Sequence, residues 1–234
     1  MRAALFRGAG RPLSIEQVDD PAPRADQILI EVAQSGICGS DLHMSEYGAV
    51  PEGTIFGHEF AGTIVQLGAA VPPGLRVGER VTALPVQACR ICEACEAGLP
   101  ALCAQGQFTG TNLTFPGAYA QYVAARATMV QRLPAGVGFA EGALVEPLAV
   151  ARHAVALASI RAGDTVAVIG AGPIGAGVVL FARLAGARHV IVSERSPARR
   201  EIARALGATG TIDPTQENVA QRLAALAGGR PQVV

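Results

Sequence analysis

"DTVAVIGAGPIGAGVVLFARLAG", residues 164–186, decides the fold of this 234-residue chain. Val166 to Ile169 form an unbroken apolar run, the pattern of a strand buried on both faces as parallel sheets require. Directly behind it stand Gly170, Gly172 and Gly175 in G-x-G-x-x-G spacing, with Pro173 and Ile174 opening a helix. Gly170 permits a tight turn, Gly172 lets the backbone approach a pyrophosphate, and Gly175 lets helix and strand pack closely. The helix N-terminus attracts the phosphates.

Downstream, "HVIVSE" reads as the next strand and ends on Glu194, 19 residues beyond Gly175. At that place a carboxylate accepts hydrogen bonds from the adenosine ribose and repels a 2′-phosphate. Strand, glycines, helix, strand and acid in this order point to NAD rather than NADP. Arg195 and Arg199 weigh the other way, since an arginine there could meet a phosphate. His189 has no comparable context and reads as a surface residue. "SPARREIARALG" predicts a helix with Ser196 as cap, Pro197 in the first turn and Gly207 past its end. "NVAQRLAALAGG" predicts another helix, and "PQVV" the opening of a further strand. A doubly wound dinucleotide sheet has about six strands. The chain therefore reads as a truncated one, holding the first half.

Upstream of residue 145 the texture changes to short apolar or alternating runs such as "ILIEVAQSGICG", "FAGTIVQLG", "ERVTALPV" and "AYAQYVAAR", punctuated by Gly and Pro. That pattern predicts a mostly β domain. Residues 1–145 form one expected domain and 146–234 the nucleotide-binding one. "EPLAVARHAVALAS" is the helix between the textures, with His153 read as a packing residue.

Four of the five cysteines, Cys89, Cys92, Cys95 and Cys103, lie within "ACRICEACEAGLPALC", residues 88–103. Spacings of two, two and seven residues let four thiolates wrap one zinc tetrahedrally. A site closed in this way has no vertex for substrate, so its role is structural. A disulfide set is disfavoured in a reducing compartment, and a redox or iron–sulfur centre is the other alternative. A nucleic-acid zinc ribbon is opposed by the neutral charge and the flanking Glu93 and Glu96.

Cys38 stands apart in "GICGSDLH". His58 and Glu59 follow in "GHEFAG", and Glu146 lies in "LVEPLAVARHA". A thiolate, an imidazole and a carboxylate (Cys38, His58, Glu146) make a three-ligand site with an open fourth vertex, the catalytic arrangement for zinc. Each alone has a plainer account: a small buried thiol, a core histidine, a charge at a helix start. Their coincidence with a nucleotide loop shifts the balance.

Composition is consistent with this. Half the residues are hydrophobic, 16% are charged, and 19 basic residues balance 19 acidic ones. No net field recruits nucleic acid or an anionic membrane. The amino terminus lacks a signal-peptide pattern and no apolar run reaches spanning length, which predicts a soluble, cytoplasmic protein.

Taken together, "GICGSDLH", "GHEFAGTIVQLG", the four-cysteine lobe, "EPLAVARHAV" and "VAVIGAGPIG" resemble the zinc-dependent medium-chain alcohol dehydrogenase family along the whole chain. The resemblance implies a β-rich GroES-like domain carrying two zincs, then a Rossmann domain, with the active site in the cleft between. Glu146, where alcohol dehydrogenases of the original type carry a cysteine, resembles the polyol, butanediol and threonine dehydrogenase branch, and the cysteine lobe leans toward the last two. The resemblance makes Glu59 an alternate or outer ligand, Ser40 the hydroxyl that takes the substrate proton, and His43 its relay to solvent. It implies a small alcohol or diol substrate and a homo-oligomer, dimer or tetramer. A chain lacking the rest of the Rossmann sheet is expected to bind zinc and turn over poorly, and a catalytically inactive zinc-binding module of the same family is the alternative reading. Tyr47, Phe56 and Phe115 are possible lining groups.

Overall fold

The computed structural model describes residues 1–234, which divide into two units, Met1–Glu146 and Pro147–Val234. In the first the elements are β1 (Arg2–Leu5), β2 (Ser14–Gln17), β3 (Gln27–Ser35), α1 (Gly39–Tyr47), β4 (Phe60–Leu67), β5 (Arg80–Ala83) and β6 (Val86–Gln87). There follow α2 (Glu93–Glu96), β7 (Gln107–Phe108), β8 (Tyr122–Arg126), β9 (Val130–Arg132) and α3 (Phe139–Ala143).

Five strands make one antiparallel sheet in the order β8-β3-β4-β5-β9, and β1–β2 and β6–β7 pair separately. Gln27 to Ile30 at the start of β3 are all buried because β4 and β8 occupy both its edges. Beyond them β3 turns polar and its register with β4 slips between Val32 and Gln34. Ile28, Ile30, Phe60, Ile64, Val81 and Val123 interlock as the core, each such side chain stabilising by about 1.5–3 kcal/mol on burial.

The run "ILIEVAQSGICG" is not strand throughout. β3 stops at Ser35, and α1 begins at Gly39 with Cys38 extended at φ −78° as its cap. Asp41 in the first turn reaches back to accept from the Cys38 N–H at 3.1 Å, which satisfies a donor the helix cannot. Gly48, left-handed at φ 70°, closes the helix onto the Met44 carbonyl. Local capping thus places Cys38 at a strand-to-helix corner.

α4 (Val145–Leu157) leads into the second unit, which continues with β10 (Thr165–Ile169), α5 (Pro173–Leu184), β11 (His189–Ser193), α6 (Pro197–Ala205), β12 (Gly210–Ile212) and α7 (Val219–Ala227). The strands are parallel in the order β10-β11-β12. Val233 bridges Val166 in parallel, and its carbonyl accepts from the Ala167 N–H at 2.9 Å. "PQVV" therefore adds to the edge of β10 away from β11, the strand arrangement of a Rossmann half. Ser196 caps α6 by accepting from the Arg199 N–H, as its sequence predicts. The strand β12 was not expected, since three residues are too few to display a period. His153 is exposed, which corrects its reading as packing. No helix is long and apolar enough to cross a membrane.

Candidate metal and nucleotide sites

Ligand atoms of Cys38, His58 and Glu59 lie within 4.8 Å of one another. The corner before α1 supplies the thiol, and the entry to β4 supplies the other two. Gly36 makes room: a β-carbon there would fall 2.4 Å from Glu59 Oε2. His58 is 3% exposed, edge-on to Phe108, with Nδ1 facing Asp41 Oδ1 at 3.5 Å. Neither of those two atoms has a hydrogen-bond partner, so at that separation the attraction is electrostatic. With Nδ1 committed to Asp41, Nε2 is the nitrogen left for a cation.

Burial pushes the His58 imidazole down, but Asp41, with help from Cys38, outweighs it and raises the group to about 9. Burial raises Glu59 and Glu146. The charges acting on those two carboxylates are His58 and other acids, and the sequence contains no lysine. A buried set of thiol, imidazole and carboxylates without a guanidinium or ammonium fits a divalent cation. Glu146, half-buried, interacts with His58 and Glu59 but stands outside the tight group. The carboxylate gathered with Cys38 and His58 is thus that of Glu59. Ser40 and His43 are both exposed on the first turns of α1, three residues apart and so on one face.

The second cluster is Cys89, Cys92, Cys95 and Cys103, whose four sulfurs also lie within 4.8 Å of one another and form no disulfide. Cys92 and Cys103 sulfurs are 3.8 Å apart. Sulfurs at about 2.3 Å from one zinc stand about 3.8 Å from each other, so the cage has the size zinc requires. The backbone N–H of Cys95 draws Cys92 down to about 6, and that of Cys89, at 3.3 Å from its sulfur, lowers Cys103. Burial pushes Cys95 up to about 11. Backbone donors aimed at sulfur favour the thiolate form that a metal takes.

In the second unit Gly170 turns at φ +92° and a β-carbon on Gly175 would lie 2.1 Å from the Gly170 carbonyl oxygen. Nothing lies within 4 Å of the place a Gly172 β-carbon would take, so the cradle is open where a phosphate approaches. Glu194 is 9% exposed, and its two oxygens accept from the Ala171 N–H at 2.8 Å and the Ser196 N–H at 2.7 Å. These bonds hold the carboxyl below the usual range. Each oxygen keeps a lone pair for a ribose hydroxyl. Arg200 bonds the Glu194 carbonyl and Asp213, whereas Arg195 and Arg199 enter no ion pair.

Sequence reasoning missed Asp41 and Tyr119, whose hydroxyl donates to Asp41 at 2.8 Å. The spacing Cys38-x-x-Asp41 is a cap signal that could have found the first; nothing local points to the second. Phe56 and Phe115, expected as possible lining groups, are buried in the core, Phe115 with the Arg24 and Arg126 guanidinium groups over its ring. Tyr47 is exposed.

Residues 24–135 match the family model for the alcohol dehydrogenase GroES-like domain, and residues 173–234 that for zinc-binding dehydrogenase. Sorbitol dehydrogenase of Bacillus subtilis is 36% identical over 98% of this chain and 66% of its own length. The 2R,3R-butanediol dehydrogenase of Bacillus subtilis superposes with a TM-score of 0.87 at 33% identity, covering 98% of this chain and 68% of that one. A zinc-binding dehydrogenase from Sinorhizobium meliloti, solved with NADP, superposes at 0.86 with 37% identity over 94% and 64%. The chain thus spans about two thirds of the length of the relatives it matches. The paired ligand clusters, the nucleotide cradle and these likenesses place the chain in the zinc-dependent medium-chain alcohol dehydrogenase family.

Proposed function

We propose that this protein is an NAD-linked oxidoreductase that interconverts a secondary alcohol or vicinal diol, of the polyol or butanediol kind, with its ketone. The observation that carries this reading is the gathering of the ligand atoms of Cys38, His58 and Glu59 within 4.8 Å, with His58 and Glu59 buried and no guanidinium or ammonium among the charges acting on them. These three residues, with Glu146 beside them, would hold the catalytic zinc. Zinc supplies a Lewis acid that makes a hydroxyl proton labile near neutral pH. Ser40 takes the proton, and His43, exposed on the same face of α1, hands it to solvent. Cys89, Cys92, Cys95 and Cys103 would hold a second zinc that organises a lobe with little regular structure of its own. Gly170, Gly172, Pro173, Ile174 and Gly175 would seat the pyrophosphate, with Arg199 nearby. The fixed carboxylate of Glu194 supports NAD over NADP, because it offers acceptors to a ribose and opposes a second phosphate.

The test is metal analysis together with a panel of alcohols and diols against both cofactors. We expect two zincs per chain and NAD-dependent oxidation of vicinal diols. One zinc or none, or a preference for NADP, would overturn the corresponding part.

A further inference from the structure

Tyr119 belongs to neither ligand cluster and to no step above, yet the structure holds it at both ends. Its hydroxyl donates to Asp41 Oδ2 at 2.8 Å. Its ring fills the space beside Gly57, where a β-carbon would fall 2.5 Å from Tyr119 Cδ1. Its N–H donates to the Phe56 carbonyl at 2.9 Å, and the Ala118 N–H to that of Gly57 at the same distance. The residue is therefore bound to the segment that ends at His58 and, separately, to the carboxylate that faces His58.

Asp41 is 2% exposed. The Tyr119 hydroxyl and the Cys38 N–H both converge on its Oδ2. With Oδ2 held by two donors, rotation of the carboxylate is restrained, and Oδ1 is left facing His58 Nδ1, 3.5 Å away. A carboxylate so placed keeps the proton on Nδ1, which leaves the lone pair on Nε2 and fixes the ring plane.

We propose that Tyr119 is a positioning residue for the cation site: through Asp41 it holds the His58 ring with Nε2 presented toward Cys38 and Glu59. The inference rests on the reading of Cys38 and His58 as zinc ligands. Tyr119 would touch neither metal nor substrate, and its contribution is the orientation of a ligand. Without its hydroxyl the Asp41 carboxylate keeps a single donor on Oδ2 and regains rotational freedom, and His58 loses its fixed tautomer for part of the time.

The experiment measures zinc affinity by chelator competition on the full chain, comparing wild type, Tyr119→Phe, Asp41→Asn and the double variant. Phenylalanine keeps the ring against Gly57, so the fold should be retained, with a modest drop in midpoint for the lost hydrogen bond. We expect Tyr119→Phe to weaken one of two zinc sites by about 10-fold, at the lower end for outer-sphere partners of a metal ligand. The double variant should be no weaker than Asp41→Asn alone, because the hydroxyl acts only through that carboxylate. Wild-type affinity in Tyr119→Phe, or losses that add in the double variant, would overturn the proposal while leaving the ligand assignment standing. A wild-type chain that takes up only the zinc of the four cysteines would overturn both.

Discussion

At Gly36 a β-carbon would stand 2.4 Å from Glu59 Oε2, while the Gly36 N–H donates to the Glu59 carbonyl at 2.6 Å. The closest blocked atom is the far end of the Glu59 side chain, with its β-carbon next at 3.1 Å, so Gly36→Ala should displace the carboxylate from Cys38 and His58 at a modest cost in melting midpoint. We expect a zinc affinity lower by about 10-fold, read by chelator competition. Glu194 makes a pH prediction at the same scale. Its carboxyl sits below the usual range because the Ser196 and Ala171 N–H groups bond the ionised form. A depressed folded value means the stabilisation is complete above the unfolded value of about 4.3 and disappears as pH falls through the folded one. Glu194→Gln should therefore lose stability at neutral pH and show a shallower acid limb, measured as denaturation midpoint against pH.

Among the elements, the turn from β10 into α5 leaves no room for a side chain on its third glycine. A β-carbon on Gly175 would meet the backbone carbonyl oxygen of Gly170 at 2.1 Å, and that carbonyl cannot yield cheaply. Gly175→Ala should cost about 1–3 kcal/mol of stability, the usual range for overpacking. It should also weaken NADH binding, read by fluorescence titration. The helix α1 depends on a different device. Its start is set by Asp41 bonding the Cys38 N–H, so the residue that caps the helix also faces His58. A signal legible in sequence as a cap thus carried a second role that became visible only when β4 came alongside.

For the whole molecule, the four-cysteine lobe offers the clearest test. Between Cys89 and Cys103 regular structure amounts to the four residues of α2 and one short 3₁₀ turn, so a zinc held by the four cysteines would supply cohesion that packing provides elsewhere. Chelation, or Cys95→Ser, should lower the thermal midpoint and open residues 88–108 to proteolysis, while the sheet built on Ile28, Ile30 and Phe60 stays folded.

Much of this was legible in order along the chain, because the signals are local. The apolar run of β10, the glycine spacing behind it, the Ser196 cap and the four closely spaced cysteines each act within a few residues, so spacing alone determines their form. That Cys38 and His58 come together was likewise an expectation of the sequence, drawn from their coincidence with a nucleotide loop rather than from either residue alone. What required the tertiary structure was everything set by residues distant in sequence. Folding brought Glu59 rather than Glu146 into the tight group, turned Glu194 toward two backbone donors, buried Phe56 and Phe115, and laid Tyr119 against Asp41 across 78 positions of chain. Such contacts depend on how strands register and where bulges fall, and no periodicity in one segment records the position of another.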